Sequence, residues 1–474
     1  MHDLRKRILL ESGKTASRKA RSRPESLQGS ASHSPDSSPG HSRSGSRTAS
    51  RAGSRYASED EDLESEFDDS MTMSTNSASE DDENNRSAWA ERLQDRVSQL
   101  LSSNSSDRKR MGISDRENIL RAYLHLVRHY YANSELGGRF SDIVQALMKS
   151  ARSGGSALEQ STALQALSVT ILTCPSETVF ETVMSPLKVV IDDAEDHGVK
   201  AHAIYALTVA SLYGDGSIHA AEAILEYLIE IIESDGEIVN AFDSGPVVAA
   251  AMHGWGFIAS HLADLSEQSE QAMDAFVDQL DSSDVDVQTG AGSNIALLFE
   301  SAREYEEESG ETLPLRYDPK KLIRQMKEIS RGSKSISKKD RRHLRTDFSS
   351  IITSLELGKG PGYSTSGRPA VNPHLGGSNP DGEESEIQEF GYREKIRVHN
   401  VYITINSWAL SAKVEVLKAL LAGGFATHFS DNPVVHECLE SAEIERIVNP
   451  NLLRKEFLAE KRRDASGSGR RVRS

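Results

Sequence analysis

Val199-Lys-Ala-His-Ala-Ile-Tyr-Ala-Leu207, Val247-Val-Ala-Ala-Ala-Met-His-Gly-Trp255 and Val287-Gln-Thr-Gly-Ala-Gly-Ser-Asn-Ile295 are three versions of one stretch. Each places apolar or small residues at steps of four: Val199-Ala203-Leu207, Val247-Ala251-Trp255 and Val287-Ala291-Ile295. Steps of four fall on one helix face, and a small residue mid-ladder lets neighbouring helices pack closely. Ala-rich segments of this type start near residues 156, 198, 246 and 285, about 40–48 residues apart. A second amphipathic segment follows each, at 178–191, 218–233, 270–280 and 319–330.

A helix pair repeated at this period cannot bury its apolar face alone, so successive pairs must stack. The expected fold over 89–356 is therefore an all-α, armadillo/HEAT-like helical solenoid. Residues 244–263 contain no Asp, Glu, Lys or Arg, a pattern that a membrane span would also show. The Ala, Gly and His content there favours a buried helix of the array. A solenoid offers a binding surface, not a catalytic pocket.

Charge divides the 474-residue chain, whose formal net charge of −17 averages over opposites. Residues 1–55 carry 12 Lys+Arg and 4 Asp+Glu; residues 56–83 carry 12 acids and no base. With 21 serines and few aliphatic residues, 1–88 read as a disordered Ser/Arg tail followed by an acidic block. Arg43, Arg47, Arg51 and Arg55 each stand three residues before Ser46, Ser50, Ser54 and Ser58, a spacing that basophilic kinases favour. Ser34-Pro35 and Ser38-Pro39 suit proline-directed kinases, so these six serines are candidate phosphosites. Phosphorylating the four tandem serines would add about −6 to −8 of charge and invert the sign of the tail.

Residues 111–315 hold 33 acids and 9 bases, after which 316–345 hold 12 bases and 3 acids. Asp318-Pro319 supplies an N-cap and a first-turn proline for a helix. Along that helix Lys320, Arg324, Lys327 and Arg331 share one face, and Lys338, Lys339, Arg341, Arg342 and Arg345 follow. Such a stripe can grip phosphates, serve as a nuclear import signal, or lie against the acidic solenoid. Residues 357–386 form a Gly/Pro/Ser-rich flexible linker. A small C-terminal α+β domain is expected over 387–464, and a basic disordered tail over 465–474. Its start alternates across His399-Asn400 as a short hairpin, and Ser407 caps a helix carrying Trp408, Val414, Leu417 and Leu421, closed by Gly423-Gly424. Asn432-Pro433 and Asn449-Pro450 open two more helices. Lys395, Arg397, Arg454, Lys455, Lys461, Arg462 and Arg463 complete the candidate RNA or phosphate contacts.

The layout resembles the interferon-related developmental regulator family, which joins an armadillo-like domain to a short C-terminal domain of its own. The resemblance is carried by Glu394-Lys395-Ile396, Ile405-Asn406-Ser407-Trp408, and Leu421-Ala-Gly-Gly424 with His428 and Asn432 behind it. The chain departs from that pattern at Asn406, at Ala409-Leu410 and at Val435-His436-Glu437-Cys438. What the resemblance implies is a non-enzymatic regulator, in one of two roles: ribosome binding that holds translation down, or transcriptional co-regulation in the nucleus.

The residues agree with the absence of an enzyme. No GxxxxGK[ST] and no HExxH occurs, and Cys174 and Cys438 lie far apart without a CxxC pair. His197, His202, His253 and His261 read as packing or surface histidines, and Trp408 as core. No cofactor, metal, small-molecule substrate or membrane contact is expected, and no signal peptide is read at the N-terminus. The expected partner is the ribosome, through rRNA and ribosomal protein. A nuclear adaptor holding basic partners on an acidic concave face is the alternative, and the expected location is cytoplasmic and nuclear.

Overall fold

The computed structural model describes residues 82–103, 111–214, 217–313, 315–332, 337–364, 391–392 and 394–446. Its helices in chain order begin with α1 (Asp82–Ser103), α2 (Ile113–His129), the short α3 (Asn133–Leu136) and α4 (Phe140–Ser153). They continue with α5 (Ala157–Thr173), α6 (Val179–Asp193), α7 (His197–Tyr213), α8 (Ile218–Glu233), α9 (Gly245–Ala259), α10 (Ser266–Gln279) and α11 (Val285–Ser309). Then come α12 (Pro319–Gly332) and α13 (Lys338–Leu357).

Two layers result. First helices α2, α5, α7, α9, α11 and α13 pack side by side in that order, and second helices α4, α6, α8, α10 and α12 back them. This is the expected solenoid. Its first helices start where caps are supplied: Ser156 Oγ accepts from Glu159 N–H at 3.0 Å, and Asp196 Oδ1 from Val199 N–H at 2.9 Å. Asp284 Oδ1 accepts from the N–H groups of Asp286 and Val287.

Small residues set the spacing between first helices, as the ladders imply. A Cβ on Gly254 would stand 2.6 Å from Thr208 Oγ1, and one on Gly292 would stand 2.7 Å from Ile351 Cδ1. Two elements differ from expectation. The basic run after 337 forms α13, whose Leu344, Phe348, Ile351 and Ile352 bury against the array. Helix α10 begins at Ser266, four residues before the expected start, because its first turn, Ser266-Glu-Gln-Ser269, holds no apolar residue to signal it.

Lys200 is buried in this layer and was not singled out by the sequence. Its Nζ donates to Ile191 O (2.6 Å), Asp192 O (2.9 Å) and Val239 O (2.7 Å). The first two carbonyls end α6, the negative pole of that helix. Burial lowers the pKa of Lys200, opposed by Asp192 and Asp193. Lys200→Met leaves three carbonyls without that donor, at an expected cost of about 3 kcal/mol. A thermal midpoint unchanged from wild type would show that the ammonium contributes nothing.

The C-terminal residues complete the architecture. β1 (Tyr363–Ser364) pairs antiparallel with β2 (Gly391–Tyr392). The expected hairpin is β3 (Lys395–Val398) and β4 (Val401–Thr404), turning at His399-Asn400 with Val398 opposite Val401. A third strand, β5 (Glu443–Arg446), adds to β4 where no strand was expected; all four of its residues are exposed, so it lacks alternation.

Helices α14 (Trp408–Leu421), α15 (Phe425–Asp431) and α16 (Pro433–Cys438) lie on the first-helix layer. α14 packs on α9, α11 and α5, α15 on α2, and α16 on α5. The first helices are thus covered by second helices behind, neighbours at the sides, and this segment in front. That explains the uncharged 244–263: α9 is apolar all round because it is buried all round. No described helix is long and apolar enough to cross a membrane. The closure of α14 also differs from expectation. Its capping residue is Ala422, with φ +45°, while Gly424 is required by proximity, since a Cβ there would stand 1.7 Å from Arg128 O.

Candidate nucleic-acid interface

The basic stripe becomes two packed helices. On α12, Leu322, Ile323 and Met326 face inward, which leaves Lys320, Arg324 and Arg331 exposed. Lys327 pairs with Glu356 of α13 at 2.9 Å, so one of the four expected cations is partly neutralised. Arg345 Nε donates to Ser330 O at 3.1 Å, near the end of α12.

On α13, Lys338, Arg341, Arg342 and Arg345 recur at steps of three, one and three, which places all four on one helix face. Together with Thr346 and Ser349 they line a cleft of about 460 Å³. Ser337 caps this helix by accepting from Asp340 N–H, and His343 pairs with Asp347 at 2.6 Å. Lys339 is exposed on the same first turn. Four cations around an open cleft suit a phosphate group or a run of them, each contact releasing counterions.

The other basic candidates are placed apart from this cleft or lie beyond the described residues. Lys395 and Arg397 share the exposed face of β3, but Lys395 Nζ contacts Glu445 Oε2 at 2.5 Å across the sheet. Arg397 stands opposite Tyr402, which in turn stands opposite Glu445. Arg454, Lys455, Lys461, Arg462 and Arg463, the helix expected from 449, and all six candidate phosphoserines lie outside the described residues.

Glu300 and Arg128, which the sequence left without a role, hold the C-terminal segment together with Ser407, Trp408 and His428. Glu300 Oε1 of α11 accepts from the N–H groups of Trp408 (2.7 Å) and Ala409 (3.0 Å), and Ser407 Oγ from Leu410 N–H. A carboxylate at a helix N-terminus meets both orphan donors and the positive pole. Burial still holds the Glu300 carboxyl above its usual range, against those two bonds. Trp408 is core, as expected: it is 5% exposed and its Nε1 donates to Ser354 Oγ at 2.9 Å. Arg128 Nε donates to Leu420 O, and His428 Nε2 bonds Val127 O.

Cys438 has a histidine neighbour in space, His261, with Sγ and Nε2 3.5 Å apart. Burial raises the Cys438 thiol and lowers His261 to about 4, so both groups are neutral at pH 7. A neutral thiol beside a neutral imidazole is packing, not an activated nucleophile. His202, also lowered to about 4 by burial, bonds Gln165, while His253 contacts Glu415 and Tyr205; His197 is exposed. No group of residues able to hold a metal occurs among the described residues.

Comparison with known proteins matches this architecture to a family. A relative of Schizosaccharomyces pombe, an uncharacterised protein, is 23% identical over 366 residues, covering 73% of each chain. The family model described as interferon-related developmental regulator matches residues 60–356, which take in the described repeat helices from α1 to α13. The C-terminal residues that carried the resemblance fall outside that match. Well over half of the chain is covered nonetheless, and the chain belongs to the interferon-related developmental regulator family.

Proposed function

We propose that this regulator acts on translation by associating with the ribosome, holding rRNA phosphates with its basic elements while the acidic repeat surface meets protein. The observation that carries this reading is the convergence of Lys338, Arg341, Arg342 and Arg345 on one cleft. Elsewhere the repeats repel a polyanion: from 201 to 302 there are 17 Asp+Glu and no Lys or Arg. Nucleic-acid contact is therefore confined to one end of the solenoid, with the basic residues of 449–474 as a second grip. In the nuclear-adaptor reading, basic partners occupy the face of the first helices. That face carries α14–α16, which favours the ribosome.

Cosedimentation of the full chain with ribosomes over a salt series tests the proposal. Reversing Lys338, Arg341, Arg342 and Arg345 to Glu is expected to weaken association at least tenfold. It should also flatten the log–log salt slope by roughly 3, at about 0.7 for each phosphate that is no longer neutralised. Deleting 449–474 should weaken association separately. Cosedimentation that neither change alters would refute the reading.

A further inference from the structure

Residues 234–244, between α8 and α9, form a turn of uncommon construction. Asp235, Asn240 and Asp243 have φ values of +50°, +54° and +52°, and Gly236 has +79°. A Cβ at Gly236 would stand 2.4 Å from Ala241 O. The turn is held from several sides. Gly236 N–H bonds Ile231 O, Ala241 N–H bonds Gly236 O, and Asp243 N–H bonds Asp235 O. Lys200 donates to Val239 O, Asn240 Nδ2 to Asp192 O, and Gln279 Nε2 to both Ile232 O and Asp235 Oδ1.

Val239 and Ala241 point inward and are buried, while Ile238 is 47% and Phe242 70% exposed. A turn fixed this firmly presents two large apolar side chains to solvent at constant positions. Rigid, exposed aromatic and aliphatic side chains are what interface hot spots are made of. Asp and Asn take the left-handed region more readily than other non-glycine residues, so this backbone is built cheaply and then fixed by the bonds around it.

The surroundings select the partner. Glu233, Glu237 and Asp243 are exposed on the turn or beside it, and Asp192 is joined to it through Asn240. Lys200, the cation nearest in sequence, is buried and committed, Lys188 acts on Asp192 with its Nζ over the Tyr227 ring, and the next Lys or Arg after Lys200 is Arg303. We propose that the 234–244 turn is a docking site for a basic polypeptide, in which Phe242 and Ile238 pack against an apolar side chain of the partner and the acids pair with the Lys or Arg flanking it. A nucleic acid is repelled by the same acids. The site lies away from the basic cleft and does not depend on the ribosomal reading.

Binding of the full chain to synthetic 15-residue peptides, followed by fluorescence anisotropy, tests this. One set carries Leu, Phe or Trp flanked by Lys and Arg; a second reverses the charges; a third replaces the apolar anchor with Ser. Wild type is expected to bind the first set, with at least tenfold weaker binding to the others. Phe242→Ser combined with Ile238→Ser should reduce binding of the first set at least tenfold, and Phe242→Trp should retain it. Both substitutions are at exposed positions, and an unchanged circular dichroism melt verifies the fold. Three results overturn the proposal: equal binding by the double variant, binding of the acidic set, or binding of none. So does concentration-dependent self-association that Phe242→Ser abolishes, which would make the occupant a second copy.

Discussion

Trp408→Ala is expected to cost about 3–5 kcal/mol and to loosen the whole of α14–α16 from the repeat helices. The indole is 5% exposed, and its Nε1 is bonded to Ser354 of α13 while its backbone N–H is bonded to Glu300 of α11. Truncation therefore removes a large buried surface and one hydrogen bond at the point where the C-terminal segment enters its seat. The Glu300 variants separate the polar part of this attachment. Glu300→Ala leaves two buried N–H groups without acceptors, worth roughly 1–3 kcal/mol. Glu300→Gln keeps an acceptor oxygen and removes a charge that burial already disfavours, so it should cost least. Hydrogen exchange on the full chain reads the order directly: amides of α14, α15 and α16 should lose protection most in Trp408→Ala, less in Glu300→Ala and least in Glu300→Gln. Protection equal to wild type in Trp408→Ala would mean that the segment is held by something other than this corner.

The repeats were legible because their information is local. Val-Ala-large ladders at steps of four and Ser or Asp caps specify the first helices within a few residues of each boundary. The basic stripe was legible in the same way, although Lys327 proved to be paired with Glu356 and α13 was read only as a run of charge. What no local pattern could give is the seat of α14–α16. Arg128 meets Leu420 across 292 residues of sequence, and His428 meets Val127 across 301. One indirect signal was present. A solenoid helix covered only by its own repeat keeps a polar stripe, and 244–263 has no charged residue at all. Phe242 and Ile238 were illegible for the opposite reason, since apolar residues between two helices read as core until their exposure is known.

Acidification from pH 7 to pH 5 is expected to destabilise the fold through its buried and half-buried histidines. His202 and His261 are each lowered from the ordinary 6.5 to about 4 by burial, assisted by Arg128 and Lys413 respectively. Their folded pKa lies below the unfolded one, so between 6.5 and 4 the unfolded chain binds the proton and the folded chain does not. The stability they contribute is present above 6.5 and declines as pH falls, by on the order of 2 kcal/mol each at pH 5. His428 shifts in the same direction, chiefly by burial. Its Nδ1 faces the Asn432 Nδ2–H donor at 3.2 Å, and that amide also donates to Leu172 O. A proton on Nδ1 sets donor against donor and breaks the link between α15 and α5. Other groups oppose this. His343 is raised by Asp347, so its contribution grows as pH falls, and the buried Glu300 and half-buried Glu394 carboxyls, raised by desolvation, also gain on acidification. The histidine part is isolated by substitution: His202→Gln with His261→Gln removes two of the three histidines whose pKa burial lowers and should flatten the fall of the denaturation midpoint between pH 7 and 5. Parallel curves for the double variant and wild type would show that His202 and His261 do not carry the acid sensitivity. The seat of the C-terminal segment is where the effect should show first, because His261 touches Cys438 of α16 and His428 belongs to α15.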